Sequence, residues 1–378
     1  MVVEDFVRRP VGGAIYDIDR IAASYAMEKN AMSNIRWPRK LILACSAAAL
    51  FAGLPACSAA RSEQPVTSAA LTATSSQDAQ PRLTIEELRT LYGDQESRYM
   101  DIGGLEIHYK DEGSGPVLFM VHGSLSSTRT WDRITEILKS DYRIIRYDIP
   151  GYGLSGRVSD EAAENIQPVE IAEKLAERLG VNKLTCIGVS SGGTMCMYLA
   201  AKRPELVERL IISNTPSDPV DTSHLVMPES FVEAAKKSRE TGFSDMNFWN
   251  EYLGFFAGDP ERISAKTRKE YYDLNRRTAE KHPVAMVARI GDGVQAKIEM
   301  AKIVAPTFLI WGGADALLPE SAADAITNYL GSAQISRIIM PDVGHYPPLE
   351  SPDRFAQWIA AYVEAGVISS HVQEDSQP

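Results

Sequence analysis

From about Leu83 onward, apolar and polar positions alternate between two kinds of block. Near-continuous apolar runs at 117–121, 184–188, 210–212 and 307–311 predict strands covered on both faces. Residues 143–147 and 335–340 predict two more strands. The segments 100–102 and 105–109 alternate around Gly103-Gly104, as a hairpin does. Between these blocks, Trp131, Ile134, Ile137 and Leu138 recur at helical spacing. So do Ile171, Leu175 and Leu179, closed by Gly180. Residues 194–202 and 355–363 predict further helices. Strands alternating with helices imply a largely parallel sheet with helices on both faces.

Residues 218–300 break this rhythm. They predict several amphipathic helices and no strand, including the aromatic stretch Phe248, Trp249, Tyr252, Phe255 and Phe256. This block reads as a helical lid inserted into a core formed by 83–217 and 301–368, with a disordered tail at 369–378. Its aromatics Phe248, Trp249, Tyr252 and Phe255 are candidate walls of a substrate pocket. Packing inside the lid explains them equally well.

The N-terminal part carries a different signal. Basic residues Arg36, Arg39 and Lys40 precede an uncharged, largely apolar run over 41–56, which is the order of a secretory signal and is short for a membrane span. The run ends Leu54-Pro55-Ala56-Cys57 and resembles a bacterial lipobox. That resemblance implies that Cys57 is acylated and becomes the mature N-terminus, anchoring a periplasmic or outer-membrane lipoprotein of the cell envelope. A plain signal cut near Ala59, giving a soluble periplasmic or secreted protein, and an uncleaved anchor remain the alternatives. Residues 1–57 are therefore an extension plus signal, with Met32 a better start than Met1. Residues 58–82, rich in Ser, Thr, Ala and Gln, cannot repay their ordering entropy and read as a tether.

Net charge narrows the partners. The chain carries a formal −11. An acidic surface without a basic stripe repels phosphate backbones, so nucleic acid is not an expected partner. Four cysteines are too few for a disulfide scaffold. Two of them, Cys186 and Cys196, lie in apolar surroundings on a strand and the following helix. Free thiols are expected there, with a disulfide as the alternative. His108, His224, His282 and His371 share no metal-ligand spacing, and no metal or cofactor is expected.

The chemistry is carried by three segments. Gly188-Val189-Ser190-Ser191-Gly192 is a G-x-S-x-G between a predicted strand and a predicted helix, the setting in which glycines allow a sharp turn and lift the serine hydroxyl above a sheet. Asp315 follows the apolar strand at 307–311, and His345 follows the last strand. With these segments the chain resembles the α/β-hydrolase superfamily over residues 97–366. The resemblance implies a mostly parallel eight-stranded sheet with a helical lid. It also implies the order nucleophile Ser190, acid Asp315, base His345. His122-Gly123-Ser124 resembles the family's oxyanion loop, which implies that the backbone N–H groups of Ser124 and Ser191 face the developing negative charge. His122 itself reads as a structural holder of that loop rather than a base. Asp218 is the rival acid, and Asp342 reads as a surface turn.

Gly151-Tyr152-Gly153-Leu154-Ser155-Gly156 fits G-x-G-x-x-G by letter, but no helix is expected to open there. It belongs to Asp148-Ile-Pro-Gly151-Tyr-Gly153-Leu-Ser155, which resembles the family's loop after its fourth strand. A serine nucleophile sets the chain apart from relatives that use aspartate, the epoxide hydrolases and haloalkane dehalogenases. The expected activity is hydrolysis of a small-molecule carboxylic ester through an acyl-enzyme. Hydrolysis of a C–C bond in an aromatic ring-cleavage product, and lactonase or perhydrolase activity, use the same triad. A ligand-binding receptor on this scaffold is the non-enzymatic alternative.

Overall fold

The computed structural model describes residues 82–165, 167–217, 220–277 and 293–366. The signal with Cys57, most of the tether, Asp218, His282, His371 and the tail from 367 lie outside the described residues. The strands are β1 (Arg98–Ile102), β2 (Leu105–Gly113), β3 (Val117–Val121), β4 (Arg143–Tyr147), β5 (Leu184–Val189), β6 (Val207–Ser213), β7 (Thr307–Gly312) and β8 (Ile335–Met340). The first helices are α1 (Ile85–Tyr92), α2 (Asp132–Leu138), α3 (Asp160–Asn165), α4 (Pro168–Arg178) and α5 (Ser191–Lys202). Between β6 and β7 come α6 (Glu229–Thr241), α7 (Met246–Phe256), α8 (Ala265–Leu274) and α9 (Gly293–Met300). The last are α10 (Glu320–Tyr329), α11 (Pro347–Glu350) and α12 (Pro352–Glu364).

The strands form one eight-stranded sheet in the order β1-β2-β4-β3-β5-β6-β7-β8. Only β2 runs against the others; it pairs antiparallel with both β1 and β4, and every other pairing is parallel. The two-residue periodicity sorts the strand side chains onto two faces. Phe119, Val121, Ile145, Cys186, Leu210, Ile212 and Trp311 pack against Ile171 and Leu175 of α4, Met195 and Leu199 of α5 and Ile326 of α10. Leu118, Met120, Ile144, Ile187, Ile211 and Ile310 pack against Ile134 and Leu138 of α2 and Phe355 and Ile359 of α12. Full burial of each such Val, Ile, Leu or Phe contributes about 1.5–3 kcal/mol.

One expectation is corrected here. Cys186 and Cys196 are joined in a disulfide, with Cα atoms 5.7 Å apart. The sharp reversal after β5 folds α5 back across the strand, so positions 186 and 196 meet although each lies in a different element.

Asp148, just after β4, organises the loop that mimics a dinucleotide motif. It is fully buried and accepts the N–H groups of Thr128 (2.6 Å) and Leu154 (2.8 Å). It also faces Nδ1 of His108 at 2.7 Å, while Nε2 of His108 meets Ser97 Oγ at 3.0 Å. Burial alone would raise its pKa, but His108, His122 and the backbone donors outweigh that and hold the carboxyl well below the usual range. A Cβ on Gly153, whose φ is +51°, would stand 2.2 Å from the Asp148 carboxyl carbon. The glycine is there to wrap the loop around a buried anion.

The segment between β6 and β7 forms the helical insertion. Phe231 of α6, Phe248, Trp249, Leu253 and Phe256 of α7 and Tyr271 and Tyr272 of α8 build its own apolar core, which reaches Tyr346 beside the sheet.

Candidate active site

The carboxyl ends of β3, β5, β7 and β8 converge on one pocket, as expected for ligand sites in parallel sheets. Ser190 sits between β5 and α5 with φ +53° and ψ −132°. A non-glycine residue held in this region is strained, and such strain concentrates at functional turns. The turn is locked by Ser190 N–H donating to the Ser213 carbonyl (3.0 Å) and Gly193 N–H to the Ser190 carbonyl (2.9 Å). It also needs room. A Cβ on Gly192 would stand 2.3 Å from the Val121 carbonyl oxygen, so only glycine lets α5 start against the end of β3.

His345 and Asp315 meet as the sequence anticipates. His345 Nδ1 lies 2.8 Å from Asp315 Oδ2, and both residues are buried. Ser190 and His345 line the same pocket. Three donors converge on the Asp315 carboxylate: the histidine, the Leu317 N–H on Oδ1 (2.8 Å) and Asn214 Nδ2 on Oδ2 (2.7 Å). Asn214 is fully buried at φ +42°, and its own side-chain oxygen accepts the Gly312 N–H at 2.9 Å. It ties the end of β6 to the loop that carries the acid.

The loop after β3 closes the floor. Ser124 Oγ and Ser191 Oγ lie 3.1 Å apart, and a Cβ on Gly123 would approach Ser190 Cβ to 2.9 Å. Ser191 opens α5, whose N-terminal N–H groups and dipole favour negative charge. His122 holds this loop from below. Its Nδ1–H donates to the Gly123 carbonyl (2.7 Å) while Nε2 accepts the Ile149 N–H (2.9 Å). Both ring nitrogens are engaged, and burial pushes its pKa down, so it is a neutral structural imidazole.

Nothing in its spacing marks Glu350 in the sequence, yet it shapes the site. Its buried carboxylate accepts N–H groups from both sides of His345, Gly344 (3.0 Å) and Tyr346 (3.2 Å), and from the turn after α7 in the helical insertion, Gly258 (2.8 Å) and Asp259 (3.4 Å). His345 N–H in turn donates to the Phe256 carbonyl at 2.8 Å. Burial raises the Glu350 pKa, against the pull of these four backbone donors. Glu350→Ala is expected to cost at least about 2 kcal/mol in urea unfolding, because several buried N–H groups lose their acceptor. It should also lower kcat by roughly tenfold or more as the histidine loop loosens. Glu350→Gln should not restore it, since its NH2 faces donors.

The pocket encloses about 850 Å³, its open mouth included. Of the four aromatics anticipated on its wall, Tyr252 is there. Phe248 and Phe255 instead pack on Phe231 within the insertion, with Phe231–Phe255 centroids 5.4 Å apart, and Trp249 packs on Phe248, centroids 5.3 Å apart. The wall also contains Tyr152, Tyr271 and Tyr346, which the sequence pattern does not select. Asp342 is exposed and paired with Arg262 and Arg354, a surface turn as expected.

A family model for the alpha/beta hydrolase fold matches residues 116–352. The chain belongs to the α/β-hydrolase family. Among curated α/β-hydrolase relatives, haloalkane dehalogenase 2 of Mycobacterium tuberculosis is 26% identical over 281 residues, covering 71% of this chain and 94% of that protein. A pimeloyl-[acyl-carrier protein] methyl ester esterase of Nitrosomonas europaea is 28% identical over 262 residues, covering 66% and 96%. A 2-hydroxy-6-oxononadienedioate/2-hydroxy-6-oxononatrienedioate hydrolase of Klebsiella pneumoniae is 23% identical over 290 residues, covering 71% and 95%. Hydrolase chemistry is common to all three; the bond they cleave is not.

Proposed function

We propose that this α/β-hydrolase cleaves neutral carboxylic esters through an acyl-enzyme on Ser190. The observation that carries the reading is the 2.8 Å His345–Asp315 pair sharing one pocket with a serine at a strained strand-to-helix turn. Ser190 Oγ attacks the ester carbonyl and its proton passes to His345 Nε2, while Asp315 stabilises the imidazolium. The oxyanion rests on the N–H groups of Ser124 and Ser191, a donor of this kind contributing about 3–4 kcal/mol. Collapse expels the alcohol, which leaves with the proton from His345. Water, deprotonated by the same histidine, attacks the acyl-enzyme and releases the acid.

The second reading, C–C hydrolysis, is favoured by the Klebsiella relative, whose named substrates are dicarboxylates. The pocket argues against it. Among the described residues its wall carries hydroxyls and aliphatic groups and no Lys or Arg to offset a carboxylate's desolvation. An alkyl-halide reading matches the dehalogenase relative but lacks the carboxylate nucleophile that serves that chemistry. A p-nitrophenyl ester series checks the reading. The neutral hexanoate should be cleaved with kcat/KM at least tenfold above the equally long mono-ester of adipate, and Ser190→Ala should cleave neither. Preference for the anionic ester would favour the ring-cleavage reading.

We also propose that the protein is held in the cell envelope by acylation of Cys57. The Cys186–Cys196 disulfide supports an oxidising compartment. Cys57→Ser is expected to move the expressed protein from the membrane to the soluble fraction, or to block its processing; an unchanged membrane fraction would refute the anchor.

A further inference from the structure

Tyr346 directly follows His345 and stands on the pocket wall, 8% exposed. Its ring packs across the imidazole, with centroids 5.3 Å apart and planes at 78°. Its hydroxyl is buried with no partner at full hydrogen-bonding geometry. A buried hydroxyl without a well-formed bond costs free energy, so such a phenol on a pocket wall marks a place where an incoming atom improves the bonding. Burial, followed by Tyr252 of α7, whose hydroxyl stands at the edge of hydrogen-bonding reach, and by Tyr271 of α8, pushes its pKa well above the ordinary value. Tyr346 is therefore a neutral donor throughout the range in which the enzyme can work.

The hydroxyls nearby extend this patch. Tyr271 donates to Ser126 Oγ at 2.9 Å, and Ser126 Oγ meets Thr130 Oγ1 at 2.5 Å; all three residues line the pocket. The rest of the wall is largely aliphatic, with Leu125, Val220, Leu317 and Leu349 among its members. An alkyl chain filling this space would leave the Tyr346 hydroxyl without a well-formed bond. A carboxylate would find donors but, among the described residues, no Lys or Arg. A neutral oxygen avoids both costs.

We propose that Tyr346, with Tyr252, Tyr271 and the Ser126–Thr130 pair, forms a subsite for a second, uncharged oxygen of the substrate, an ether, hydroxyl or ketone oxygen beyond the scissile ester. The proposal rests on the ester-hydrolase reading above and narrows it to oxygenated neutral esters. The shared chemistry is a neutral acceptor, carried by either the alcohol or the acyl half.

Two isosteric pairs test it, each exchanging one CH2 for oxygen. The alcohol arm compares 2-methoxyethyl hexanoate with n-butyl hexanoate; the acyl arm compares p-nitrophenyl 5-methoxypentanoate with p-nitrophenyl heptanoate. Transfer from water alone favours the hydrocarbon member of each pair. The expected result is a kcat/KM about tenfold higher for the oxygenated member in at least one arm, and that arm identifies which half of the substrate occupies the subsite. In Tyr346→Phe the oxygenated-to-hydrocarbon ratio in that arm should collapse toward one, whatever the absolute rate. If Tyr346→Phe does not fold, Tyr252→Phe should lower the same ratio. Hydrocarbon esters cleaved as well as or better than their isosteres in both arms would overturn the subsite and leave the ester-hydrolase reading standing. A preference that persists in Tyr346→Phe, or in Tyr252→Phe where that substitute is used, would do the same. Failure to cleave any of the four esters would overturn both.

Discussion

Ser190→Ala is expected to remove turnover by roughly four to six orders of magnitude while leaving the unfolding transition unshifted or slightly raised. The loss follows because the hydroxyl is the atom that bonds to the acyl carbon. Nothing else at this turn can replace it, since the neighbouring Ser124 and Ser191 hydroxyls face each other at 3.1 Å. The fold should survive because Ser190 enters the elbow's hydrogen bonds only through its backbone, to Ser213 and Gly193. Activity above about 1% of wild type in stopped-assay kinetics would place the nucleophile elsewhere.

Asp315→Asn is the second large effect, expected at roughly 10³–10⁴-fold in kcat. Every group facing the carboxylate is a donor: His345 and Asn214 on Oδ2, the Leu317 N–H on Oδ1. An amide must therefore turn its NH2 toward at least one of them. If it faces Nδ1, the imidazole takes the wrong tautomer, with its proton on the nitrogen that should accept from serine. If it faces Leu317, the acid loop loses its anchor. Asp218→Asn should be mild by comparison, and the reverse ranking in kcat would relocate the acid.

Much of this arrangement is legible in the chain of residues alone. β3, β5, β6 and β7 stand out because a strand covered on both faces tolerates few polar side chains. Ser190, Asp315 and His345 each follow a predicted strand, so their convergence follows from a parallel sheet whose carboxyl ends all point one way. α10 does not stand out, because alanines at 322, 323 and 325 dilute its apolar stripe to little more than Ile326. Asn214 escapes the pattern although it carries one signal, a polar residue at the carboxyl end of the strand beside the one carrying the acid. Glu350 has none in its spacing, since its four donors come from backbone separated by some ninety positions.

The pocket aromatics show where periodicity stops informing. Phe248, Trp249, Tyr252 and Phe255 share one short helix that is covered on more than one side, so no stripe separates wall from interior. Tyr271 and Tyr346 sit among polar or proline-rich neighbours and give no apolar signal at all. The disulfide is the same lesson in another form. Two cysteines ten positions apart are unrelated along a strand or a helix and become neighbours only when the elbow reverses the chain.

Catalysis through Ser190 requires a covalent acyl group on its Oγ during turnover. The direct measurement is rapid acid quench during turnover of p-nitrophenyl hexanoate, followed by peptide mass spectrometry. The expected result is a hexanoyl mass increment on the peptide containing Ser190, absent in Ser190→Ala and accumulating in Asp315→Asn only as fast as that variant acylates. An increment on another residue, or turnover in the alanine variant with Ser190 gone, would contradict it.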